Sequence, residues 1–147
     1  MRISIFKNSA SEVIINLEET KKRATLLLSG ALDENSWLRK VNTYLERLDL
    51  EIRFLVLDVS SVKSVNSSGI REWLDLISVL QKKYLVSFSR VSEVFLEKAI
   101  FQKQMLGPTG TAVAEFEAPY FCPPCNSRVL KLLNTVFQYP DSKIFLI

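Results

Sequence analysis

The chain has 147 residues, 48% hydrophobic and 24% charged, with a net charge of +3, which fits one globular domain with a sizeable core and excludes global disorder. The longest basic run is Lys21-Lys22-Arg23, a solvated turn and not a stripe, so no direct nucleic-acid partner is expected. Histidine is absent and cysteine occurs twice, which removes Ser-His-Asp triads, Cys-His dyads and imidazole-bound metals together.

From the amino terminus, MRISIFKNSASE lacks the long apolar segment and cleavage site of a signal peptide. Val13 to Leu17 and Ala24 to Leu32 read as strands separated by the charged turn EETKKR. In LDENSWLRKVNTYLERL, Leu38, Val41, Leu45 and Leu48 recur at helical spacing, with Asp33 and Glu34 near the positive end. Phe54 to Val59, FLVLDV, has the nearly continuous apolarity of a strand covered on both faces.

Ile70, Trp73, Leu74, Ile77 and Leu80 then mark a second amphipathic helix that ends near Lys82 and Lys83. Tyr84 to Phe88 reads as a strand. Ser92 to Leu106 reads as a helix with Phe95, Ala99 and Ile100 inward, stopped by Gly107-Pro108, and Thr111 to Phe116 as a further strand. The spacing predicts a short helix over Arg128 to Val136 and a terminal strand over Ile144 to Ile147. Trp37 and Trp73 are read as packing residues. Tyr120, Phe121, Phe137 and Tyr139 are read as anchors that cover the chain's own core. The expected architecture is α/β: a mixed sheet with helices predominantly on one face.

Two stretches carry candidate chemistry. VNSSGIREW, residues 65–73, crowds Asn66, Ser67 and Ser68 at a strand-to-helix junction. Such residues cap helices by accepting hydrogen bonds from unpaired N–H groups, and Gly69 allows a tight turn or close packing. They also suit a switch, because a phosphoserine in a first helical turn meets those N–H groups and the positive helix end. Arg71 would support the phosphate and Glu72 would oppose it.

The segment FLVLDVSSVKSVNSSGIREWLDLI resembles the signature of STAS domains, the sulphate transporter and anti-sigma-factor antagonist family. Asp58 matches the family's strand aspartate, and Ser67, Ser68 and Gly69 match its Ser-Ser-Gly. LLLSGALDENSW resembles a second family element through Gly30, Leu32 and Asp33, and the element order agrees over roughly residues 10 to 106. The resemblance implies a STAS-like fold and a non-enzymatic module that binds a serine kinase acting as an anti-sigma factor. It makes Ser68 the phosphorylation site and Asp33, Asn66, Ser67, Ser68 and Gly69 the partner-binding residues. Asn66 departs from the pattern, which has Asp there. An alternative on the same fold is an unphosphorylated ligand-binding or assembly module. STAS modules joined to anion transporters are disfavoured because no apolar run reaches membrane-spanning length.

The second stretch is APYFCPPCNS, residues 118–127. Cys122 and Cys125 admit three readings: reduced structural cysteines, half of a tetrahedral zinc site completed by carboxylates, water or a second subunit, and a thiol redox pair. The redox reading ranks last, since such pairs normally sit at a strand-to-helix junction. Residues 1–110 are expected to form the STAS-like domain, and 111–147 an extension packed on it. No cofactor is required, zinc being the only candidate; a homodimer is one expected partner. A single C-x-x-C pair and the absence of a leader together predict a cytoplasmic location without a membrane partner.

Overall fold

A computed structural model of the chain describes residues 2–35, 38–47, 51–107 and 111–134. Its ten elements are β1 (Arg2–Lys7), β2 (Ser11–Glu18), β3 (Arg23–Leu32), α1 (Leu38–Arg47), β4 (Phe54–Val65), α2 (Ser67–Lys83), β5 (Leu85–Val91), α3 (Glu93–Phe101), β6 (Val113–Cys122) and β7 (Ser127–Asn134). All seven strands form one sheet in sequential order. β3, β4, β5 and β6 run parallel, while β1–β2–β3 and β6–β7 pair antiparallel. The fold is therefore a mixed α/β sheet, in which each parallel step is made through a helix, as parallel pairing requires. No helix among the described residues is long and apolar enough to cross a membrane.

The core follows from alternation. In β2, Val13, Ile15 and Leu17 are buried while Glu12, Ile14 and Asn16 remain half-exposed, and Ala24, Leu26 and Leu28 do the same in β3. Leu55, Leu57 and Val59 continue the layer in β4. Against it, α2 seats Trp73, fully buried, with its Nε1–H donating to the Met105 carbonyl at 2.7 Å. The Trp73 ring meets Phe95 edge-on at 5.2 Å, and Phe88 lies beside both. Packing is thus the role of Trp73, as its place on the apolar face predicts. Trp37, Leu48, Phe137, Tyr139 and Ile144 to Ile147 lie outside the described residues.

Several elements differ from the sequence expectation. Arg2–Lys7 is an additional edge strand, and β4 runs on through Ser60 to Val65. Residues 128–134, expected as the start of a helix, are strand β7, paired residue for residue with β6. Val129, Leu130, Leu132 and Leu133 match helical spacing, but the turn at Pro123–Asn126 returns the chain onto β6. Tertiary pairing overrides the local pattern.

The expected Ser92–Leu106 helix is α3 followed by a separate 3-10 turn, Lys103–Leu106. Ser92 caps α3, its hydroxyl accepting from Phe95 N–H at 3.2 Å and donating to the Val62 carbonyl at 3.2 Å. Phe95 and Ala99 are buried, but Ile100 is exposed, one step off the inward face. Tyr120 and Phe121 are exposed too, and do not cover the core. The basic turn is neutralised locally: Lys21 and Arg23 pair with Glu18, and Lys22 with Glu51.

Candidate functional site

The serine cluster lies where β4 ends and α2 begins, at the carboxyl end of the parallel strands. Asn66 is the N-cap residue, with extended backbone, and its Oδ1 accepts from Gly69 N–H at 2.8 Å. Ile70 N–H reaches the Asn66 carbonyl at 2.9 Å and starts the helical ladder. Ser67 and Ser68 therefore occupy the first two helical positions, and both are exposed. Their backbone N–H groups belong to the turn that lacks intrahelical acceptors, and α2 extends 17 residues behind them.

Gly69 explains why this turn stands where it does. A Cβ there would collide with the carbonyl of Leu32, the last residue of β3. The absence of a side chain lets α2 press against the strand end, and Asn66 N–H donates to the same Leu32 carbonyl at 3.1 Å. The loop after β3 is thereby fixed beside the serines. Gly30 acts similarly one turn of chain earlier: with φ +87° and its missing Cβ facing the Ala10 carbonyl, it lets β3 close on the β1–β2 corner.

Asp33 and Glu34 sit in that loop, a few residues ahead of α1, which begins at Leu38 among the described residues. Asp33 Oδ1 accepts from Asn35 N–H at 2.9 Å, a local turn bond. Glu34 was not among the residues expected at the site, yet it makes the decisive contact. Asn66 Nδ2 donates to Glu34 Oε2 at 2.9 Å. That bond, with a further one from the residue's own backbone, holds the Glu34 carboxyl below the ordinary carboxylate range. An asparagine at position 66 has a physical account in this geometry. An Asp would cap α2 equally well but would set a carboxylate against Glu34, whereas Asn accepts on one side and donates on the other. The sequence signal was the pairing of an acidic loop with an uncharged cap. Asp58 is engaged elsewhere, its Oδ1 accepting from Ser60 N–H at 3.0 Å and Ser60 Oγ–H at 2.6 Å.

Cys122 and Cys125 lie at the tip of the β6–β7 hairpin, in a strand-to-strand turn. Cys122 is closed against Ser127, and Asn126 takes a left-handed φ of +50°. The Cys125 side chain and backbone N–H both hydrogen-bond to Cys122, which lowers the Cys122 thiol pKa, and the same thiol contact raises that of Cys125. No third His, Cys, Asp or Glu joins them among the described residues. No protein-family model matches the chain, and no curated protein emerges as a relative.

Proposed function

We propose that the chain is a non-enzymatic cytoplasmic signalling module of STAS-like type, an anti-sigma-factor antagonist. It uses the first turn of α2 and the loop after β3 to bind a serine kinase that is also the anti-sigma factor. Ser68 is the acceptor of the regulatory phosphate, and Asp33, Asn66, Ser67 and Gly69 complete the contact surface. Nucleotide belongs to the partner.

The observation that carries this reading is the exposure of Ser68 at the second position of a long, capped helix, held against the β3 loop. A hydroxyl so placed is open to a kinase without unfolding, and the turn that bears it is rigid enough to present one shape to a partner. Arg71, exposed and three residues on, shares its side of the helix. Phosphorylation would add about −1.5 to −2 charge beside Glu34 and Asp33. The first-turn N–H groups and Arg71 would hold the phosphate in place, so the fold survives while the surface becomes strongly negative. Ejection of an acidic partner surface follows from repulsion alone.

The test is recovery of the full chain with its bound proteins from the source cell, followed by addition of ATP and mapping of phosphate by mass spectrometry. A co-purifying serine kinase that modifies Ser68, and leaves the complex when it does, is the expected result. Phosphate confined to another residue, or a co-purifying kinase complex indifferent to Ser68→Asp, contradicts the reading.

A further inference from the structure

The β6–β7 hairpin is only half supported. Phe88, Arg90 and Val91 of β5 pair with β6 at Val113, Glu115 and Phe116. Beyond Phe116, among the described residues, β6 pairs only with β7, from Glu117↔Leu132 to Cys122↔Ser127. This outer part is a two-stranded ribbon, a unit of marginal stability in water by itself. It is tied to the first residue of α3 at both ends: Glu117 at its base accepts from Glu93 N–H at 3.2 Å, and Arg128, one rung from the tip, pairs with Glu93.

Register divides its side chains between two faces. Tyr120 and Val129 share a face with Cys122, with Lys131 over the Tyr120 ring; Pro119, Phe121, Leu130 and Leu132 share the other. Both faces expose apolar side chains beside charged ones: Phe121 is 62% exposed, and Val129, Leu130 and Leu132 are all exposed, while Glu117 and Arg128 share the Phe121 face and Lys131 the other. Among the described residues β7 is also an edge of the sheet, pairing only with β6.

The tip has a definite chemical geometry. Cys122 forms the last paired rung with Ser127, and Cys125, three residues on, lies within the four-residue turn Pro123–Asn126. The positive φ at Asn126 brings the chain back beneath them. Two thiolates on one such turn supply half of a tetrahedral zinc shell. The sequence contains no other cysteine and no histidine.

We infer that the hairpin tip is a preformed half-site for Zn²⁺, completed by Cys122 and Cys125 of a second copy, so that the metal clasps two ribbons into a symmetric dimer. The missing half of the thiolate shell specifies a second copy in preference to any other occupant. A twofold axis through the metal makes the contact self-complementary and brings the two open ribbons together. Binding transfers the thiol protons to solvent and forms four Zn–S bonds, with no change of oxidation state. This inference does not rest on the Ser68 reading.

The experiment is elemental analysis and sedimentation of the full chain purified without chelators, before and after a strong chelator, then after zinc is restored. The expected result is one zinc ion per two chains in a dimer, at least tenfold weaker dimerisation on chelation, and recovery with zinc. Cobalt substituted for zinc should show the absorption of a tetrahedral tetrathiolate site. Cys125→Ser should lose both metal and dimer, while Phe121→Lys should weaken the dimer with the thiols intact. If Cys125→Ser fails to fold, the chelator series on the unaltered chain still decides. A monomer with one zinc per chain, a chain that leaves both thiols free in excess zinc, or a dimer indifferent to chelation would overturn the inference.

Discussion

At position 66 a single amide meets two demands, capping α2 through Oδ1 and holding Glu34 through Nδ2. Because the native bond depresses the Glu34 pKa, its contribution is present above the unfolded carboxylate pKa and is lost as pH falls through the folded value. Asn66→Asp reverses that sign. The new carboxylate faces Glu34, so the variant should be less stable than wild type at neutral pH and regain ground as pH falls. Combining Asn66→Asp with Glu34→Gln should restore neutral stability, and urea midpoints across pH check both statements. Gly69→Ala sets two effects in opposition. Alanine gains about 1 kcal/mol in a helix interior, but overpacking costs roughly 1–3 kcal/mol, and here the obstacle is the Leu32 carbonyl, backbone that has no rotamer to change. A net loss of up to about 2 kcal/mol is expected by urea denaturation, with the sign set by the clash. A stabilised Gly69→Ala would remove the close-approach explanation. The Ser/Asn/Gly run was enough to place a cap here; Glu34 was not legible, because its contact spans 32 positions and depends on how β3 ends.

The elements show why some strand boundaries could be read and others could not. Within β4, Leu55, Leu57 and Val59 alternate, but the next buried residues are Val62 and Val65, three apart. Register shifts against β3 absorb the extra residues, so the polar SSVKS reads as loop although it is strand. β7 was misread for the opposite reason, its local pattern being helical and its partner being set by a turn. α2 was legible because its buried face recurs from Trp73 to Leu80 with few interruptions. Trp73 also ties that helix to the segment after α3. Trp73→Phe keeps an aromatic ring but orphans the Met105 carbonyl, and should cost roughly 1–3 kcal/mol. A lower urea midpoint with an unchanged slope is the expected signature.

Across the whole molecule, one direction organises both candidate sites. Because β3 to β6 run parallel, Leu32, Val65 and Cys122 all lie toward the carboxyl ends of their strands. In open sheets with parallel strands that end commonly carries the binding surface. Here it holds a capped serine pair and, farther along the sheet, a two-stranded ribbon bearing two thiols. The sheet provides the base, while Gly69 and Asn66 set the geometry of the serine turn. The central claim is that Ser68 controls partner binding without controlling the fold. Aspartate in a first helical turn is favoured by roughly 0.3–1 kcal/mol, so Ser68→Asp should fold at least as well as wild type. The most direct measurement is the affinity of the co-purified partner for wild type, Ser68→Ala, Ser68→Asp and the phosphorylated chain, with unfolding curves measured on the same preparations. Near wild-type binding by Ser68→Ala, loss of at least tenfold in Ser68→Asp and the phosphorylated chain, and undiminished stability throughout are predicted. Equal affinity across all four would contradict the account.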